Sequence, residues 1–193
     1  MRAESIDIGE AIKELRKVPM KKVLIVVDMQ KDFIDGALGT KEATGIVDSV
    51  VEVIKSFDGE VIYTKDTHFD NYMETQEGKK LPVPHCIKDS EGWQLHAKVQ
   101  EVVKETERVF EKVTFGSKEL ARYLEQENDK EAIEEITLIG LCTDICVISN
   151  AMLLKAFLPE ANIRVVEHAC AGVTVESHNN ALEAMKMCQI EVC

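Results

Sequence analysis

The segment "ITLIGLCTDICVISNAMLLKAFLP", Ile136–Pro159, decides how this chain is to be read. It opens as a short apolar run, passes through a glycine, and continues for about four turns with apolar residues at helical spacing before a proline stops it. That is a strand running directly into a helix. Two cysteines, Cys142 and Cys146, stand at the junction.

The same signature recurs on both sides. "KVLIVV" (Lys22–Val27) is a β-branched apolar run that ends abruptly at Asp28, the pattern of a strand buried on both faces. "KEATGIVDSVVEVIKSF" spaces Ile46, Val47, Val50, Val51, Ile54 and Phe57 as one amphipathic helix. "EVIYTK" reads as a second strand ending at Asp66, and "ERVFEK" as a third ending at Lys112. Ser117 can cap the helix "SKELARYLEQEN"; "NIRVVE" is a strand, "VESHNNALEAMKMC" a helix, and "QIEVC" a short last strand. Between them, Asp66 to Trp93 is long and irregular, with Pro82, Pro84 and few helical cues, as functional loops often are. Strand and helix alternate, which predicts an α/β chain with a doubly wound, mainly parallel sheet and helices on both faces.

Composition narrows the function. A 193-residue chain with 45% hydrophobic residues, four prolines and ten glycines is globular and fits a single domain over 1–193, with residues 1–20 read as an added helix. Its 35 acidic against 23 basic residues leave a net charge of -12, which repels nucleic acid and anionic membranes. There is neither a signal-like apolar core at the start nor a membrane-length apolar run, so a cytoplasmic protein with reduced thiols is expected. The six cysteines form no paired CxxC motifs of a structural zinc site.

In a doubly wound sheet, ligands bind beyond the carboxyl ends of the strands. Asp28, Asp66, Lys112 and the Cys142/Cys146 segment all follow predicted strands, so they should surface along one edge. Taken alone, Cys146 is a small apolar residue of a buried helix, Lys112 a solvated charge and Asp28 a loop cap. Together they form a Cys/Asp/Lys unit: a thiol near a helix start, a carboxylate to take its proton, and a cation to stabilise both charges. In "KDTHFDNYMETQEGKKLPVPHC", Asp66 and His68 share a face of extended backbone and His85 follows in the same loop. Asp, His, His is a three-ligand set that leaves coordination positions open, as catalytic metal sites do. A surface role is the bland reading of each histidine by itself. His96, His168 and His178 have no such setting.

The motifs "VVDMQKDF", "FEKVTFGS" and "GLCTDICVISNA", in that order, resemble the isochorismatase-like cysteine hydrolases. Within that superfamily, "DTH" followed by "PVPHC" most resembles the nicotinamidases. The resemblance implies a catalytic triad of Asp28, Lys112 and Cys146, with Cys146 forming a thioester from a small-molecule amide. It further implies an oxyanion hole from the Cys142 and Cys146 backbone amides after a cis Leu141–Cys142 bond. Asp66, His68 and His85 would hold one divalent ion, usually zinc, with iron or manganese as substitutes, and Phe33 would pack on the substrate ring. Members often self-assemble, so a homo-oligomer is compatible with it. This chain departs from the common Asp-Trp-His-Pro pattern in having Asp66-Thr67-His68-Phe69, so its pocket wall is expected to differ from theirs.

Other readings compete. An amidohydrolase acting on a carbamoyl or ureido group shares the cysteine, but such relatives generally lack the full Asp/His/His set. A phospho-accepting receiver domain would show two adjacent acids after the first strand, where this chain has "VVDMQ". A thiol redox module would favour CxxC over the wider Cys142/Cys146 spacing.

Overall fold

The computed structural model describes residues 21–193. The helix expected within residues 1–20 lies outside them.

Six strands form one parallel sheet: β1 (Lys21–Val27), β2 (Glu60–Asp66), β3 (Arg108–Lys112), β4 (Ile133–Leu141), β5 (Asn162–Ala171) and β6 (Glu191–Val192), in the order β3-β2-β1-β4-β5-β6. The helices between them are α1 (Lys31–Ile34), α2 (Lys41–Gly45), α3 (Val47–Ser56), α4 (Gln76–Lys80), α5 (Ala97–Gln100), α6 (Lys118–Lys130), α7 (Ile148–Phe157) and α8 (Val175–Met187). No helix among the described residues is long and apolar enough to cross a membrane.

The alternation of β1 explains the layers. Val23, Ile25 and Val27 point to one face, where they join Leu120 and Leu124 of α6, Leu154 of α7 and Leu182 of α8. Leu24 and Val26 point to the other, against Val47, Val50 and Ile54 of α3 and Val99 of α5. A strand enclosed by two cores has no use for a polar face, hence its unbroken apolar run. Burying each such side chain contributes about 1.5–3 kcal/mol.

Two helices differ from expectation. The segment 41–57 is broken at Ile46 into α2 and α3, with Thr40 capping the first by accepting from the Ala43 N–H (3.0 Å). The segment after β4 begins as a π turn, Thr143–Val147, before becoming α7. At this start, Thr143 and Asp144 reach sideways. Thr143 Oγ1 lies 2.8 Å from His178 Nδ1 on α8, and Asp144 accepts from the Val173 N–H (3.1 Å). The loop after β2, expected to be irregular, contains a 3-10 turn at Tyr72–Glu74 as well as α4.

Register sets up the site. Val27 pairs with Gly140 across β1 and β4, and Asp66 pairs with Lys112 across β2 and β3. Gly140 has φ +112, and a side chain there would run into the Val27 carbonyl, so only glycine lets β4 pass this close before the cysteine turn. The Leu141–Cys142 peptide is cis.

Candidate active site

All of the strand-end residues meet at the carboxyl edge of the sheet. Asp28 caps β1 at φ 47, fully buried, with its N–H donating to the Thr64 carbonyl (3.2 Å) and its Oδ1 accepting from Thr64 Oγ1 (2.6 Å). From the end of β3, Lys112 Nζ comes within 2.6 Å of Asp28 Oδ2, 3.4 Å of Cys146 Sγ and 3.4 Å of Asp66 Oδ1. Asp28, Lys112 and Cys146 are thus brought together, all three buried. Although close to the ammonium, Asp28 Oδ2 receives no well-directed hydrogen bond, so a lone pair remains for the thiol proton.

The electrostatics follow from dryness and one cation. Burial pushes the Cys146 thiol well above its ordinary range, with the Lys112 charge pulling the other way. Burial also raises the Asp28 carboxyl, again against Lys112. For Lys112, burial opposes the charge, but Asp28, Cys146 and Asp66 outweigh it and hold the ammonium well above its usual value. Burial therefore favours the protonated thiol beside the charged Lys112 ammonium. Cys142, whose thiol burial pushes up to about 12, has no cation at hydrogen-bonding distance.

A second cluster begins at the next atom. Asp66 Oδ2 lies 3.0 Å from His68 Nε2 and 3.7 Å from His85 Nε2. Glu77 Oε1 lies 3.6 Å from His68 Nε2 and 3.7 Å from His85 Nε2, and the four donor atoms fall within 4.8 Å of one another. His85 Nδ1 engages the Val83 carbonyl at 2.9 Å, which leaves Nε2 as a lone-pair donor facing the cluster. His68 Nε2 is buried without a hydrogen-bond partner. Two imidazole nitrogens, one of them orphaned, and two carboxylates fit a divalent transition ion. Burial works against the Asp66 charge, but the adjacent His68 and His85 rings and the charge of Lys112 outweigh it and hold the carboxyl below the usual range.

The loop is folded onto the sheet by specific contacts. The His68 N–H donates to the Cys86 carbonyl (2.9 Å) and the Lys88 N–H to the His68 carbonyl (2.8 Å), a short parallel bridge that sets the two histidines side by side. Asp32 Oδ2 accepts from the Cys86 N–H (2.7 Å), tying that bridge to α1. Phe33, next in α1, lies 5.4 Å from the His85 ring, centroid to centroid. A cavity of about 790 Å³ joins the parts, with Cys146 and Cys142 on one wall, Asp66, His68 and His85 on another, and Phe33 beside them.

Residues 22–193 match the isochorismatase domain family. The chain belongs to the isochorismatase family. It is 32% identical over 173 residues to the isochorismatase family protein PncA of Bacillus subtilis, spanning 84% of this chain and 93% of that one. It superposes on the crystal structure of nicotinamidase PncA from Bacillus subtilis with a TM-score of 0.76 at 28% identity, covering 90% of this chain and 99% of that one. The pyrazinamidase of Pyrococcus horikoshii, solved in complex with zinc, also has a TM-score of 0.76, at 24% identity, over 90% of this chain and 98% of that one. This is an isochorismatase-family hydrolase close to the nicotinamidases and pyrazinamidases.

Three contributors to this isochorismatase-family site escaped sequence reasoning. Glu77 lies in the first turn of α4, which Thr75 caps by accepting from the Gly78 N–H (3.0 Å). A threonine followed by a first-turn acid was the available signal. Tyr72 packs 4.8 Å from the His68 ring and 5.2 Å from the His85 ring, while its hydroxyl donates to the Leu81 carbonyl (2.8 Å). The Gln30 side chain donates to the Asp66 carbonyl (2.9 Å) and accepts from the Asp66 N–H (2.7 Å). Nothing in the spacing announced either residue.

Proposed function

We propose that this chain is a metal-dependent nicotinamidase, hydrolysing nicotinamide to nicotinate and ammonia through a thioester on Cys146. The observation that carries the reading is the Asp66 carboxylate, which faces Lys112 of the nucleophile unit with one oxygen and the two histidines with the other, within one cavity. A nucleophile and a place to hold a ring nitrogen are therefore about one small molecule apart.

In this reading the Cys146 thiol gives its proton to Asp28 as the sulfur attacks the amide carbon. Lys112 balances the charge on both groups. The Cys142 and Cys146 backbone amides would receive the oxyanion. The proton on Asp28 then passes to the departing nitrogen, ammonia leaves, and Asp28 takes a proton from the water that hydrolyses the thioester. Asp66, His68, His85 and Glu77 would hold a divalent ion, zinc being the one expected, which supplies a Lewis-acidic anchor for the ring nitrogen. Phe33 would cover one face of the ring.

The test is ammonia release from nicotinamide by the purified chain, with metal content measured on the same sample and Cys146→Ala as control. Release that the substitution abolishes, with about one metal per chain, supports the reading. A metal-loaded chain that leaves nicotinamide untouched overturns it.

A further inference from the structure

The cavity is larger than the reaction proposed above needs. Pockets of about 300–1,000 Å³ ordinarily hold drug-sized ligands, and about 790 Å³ is in the upper part of that range, whereas nicotinamide is a single ring with one small substituent. Both reacting ends of the cavity are closed: Cys146 is 5% exposed, His85 2% and His68 7%. The remaining space leads outward along apolar walls. Phe69, Leu81, Val113, Phe115 and Val173 all line it, and their exposures of 51%, 39%, 61%, 47% and 50% place them at its mouth. A group of large apolar side chains left in water beside a buried reactive site marks a binding surface.

The anchors fix which part of a substrate would meet that surface. A pyridine-3-carboxamide held through its ring nitrogen at the Asp66/His68/Glu77/His85 cluster, with its amide carbon at Cys146, is pinned at two ring positions flanking C2. The vertex opposite C2, C5, is the one directed away from both anchors. We propose that this site accepts aromatic carboxamides bearing an apolar substituent at that distal vertex, with the mouth formed by Phe69, Leu81, Val113, Phe115 and Val173 as the specificity-determining wall. The proposal rests on the nicotinamidase reading for the two anchors. It adds a subsite that nicotinamide itself leaves unfilled.

The probes are nicotinamide, its 5-methyl, 5-propyl and 5-phenyl derivatives, and 6-propylnicotinamide, whose substituent adjoins the ring nitrogen. Each buried CH2 is worth about fourfold in affinity, so with two added CH2 groups against a half-exposed wall, 5-propylnicotinamide should exceed 5-methylnicotinamide in kcat/KM by roughly fourfold. The gain should appear in KM, and 6-propylnicotinamide should not share it. Phe115→Ser should shrink the ratio of 5-propyl to 5-methyl turnover towards one. Calorimetric binding of the same amides to metal-loaded Cys146→Ala gives a readout independent of turnover and should rank them in the same order.

Hydrolysis of nicotinamide with 5-propyl and 5-phenyl amides bound more than tenfold more weakly overturns the subsite while leaving the nicotinamidase reading intact. The same result would follow if the apolar mouth were covered by a second copy of the chain. Extended amides hydrolysed in preference to nicotinamide support the proposal. No binding or turnover of any pyridine carboxamide would remove the anchors and with them both readings.

Discussion

The two halves of the site are assembled differently. The Asp28/Lys112/Cys146 unit stands on two strand ends and on the π turn that follows a third strand, with two core layers beneath it. The Asp66/His68/Glu77/His85 cluster takes one ligand from a strand end and three from the long loop that follows. Moving a strand-end residue requires breaking ladder hydrogen bonds, whereas the loop residues are held by a few side-chain clamps. The first half should therefore fail chemically and the second by degrees of affinity.

The largest expected effect is that of Cys146→Ala, which should reduce amide turnover by at least about 10⁴-fold while leaving the fold and metal content unchanged. Residual activity near the parent level in a rate assay would remove Cys146 as nucleophile.

Lys112→Ala should cost about 3–5 kcal/mol in a denaturant titration, because it strands the buried Asp28 charge. It should also move the pH midpoint of Cys146 alkylation upward, since the Lys112 charge is what opposes the rise caused by burial. Peptide mass analysis separates Cys146 from the exposed Cys188 and Cys193. An unmoved midpoint would show that the 3.4 Å contact does not govern the thiol.

In the loop, His85→Ala should weaken metal binding by more than about 100-fold and Glu77→Gln by about 10- to 100-fold, measured by competition with a chelator. Equal losses would mean that Glu77 is a full ligand on a par with the histidine; no loss from Glu77→Gln would restrict the set to Asp66, His68 and His85. Tyr72→Phe is the smallest change. Removing one hydroxyl that donates to Leu81 should cost about 1 kcal/mol, read as a modest fall in melting temperature, with the nucleophile's alkylation profile unaltered. A shift in that profile would break the contrast between the two halves.

The same contrast explains what the sequence disclosed. Val23–Val27 and Ile136–Gly140 announce buried strands because each residue sits between two apolar layers, and a charged residue directly after such a run has to lie at the sheet's edge. Asp28, Asp66 and Lys112 were legible for that reason. His68 and His85 were found from their types and their shared loop. Glu77 was not, because its approach depends on α4 being capped by Thr75 and on Tyr72 bracing the turn, contacts made in space and without a period along the chain. The π turn at Thr143–Val147 was read as an ordinary helix start, since nothing in the spacing revealed that Thr143 and Asp144 are drawn towards α8 and the loop before it.

Gln30 carries a consequence for motion. Its amide meets both the N–H and the carbonyl of Asp66, and it also donates to the Trp93 carbonyl (3.0 Å), so one side chain serves as an additional peptide rung between the end of β1 and the end of β2. The Asp66 carboxylate is thereby locked to the same rigid platform as Asp28. Breathing of the cavity then falls to residues 67–92, which carry His68, Glu77 and His85, while Asp66 keeps its distance from Asp28.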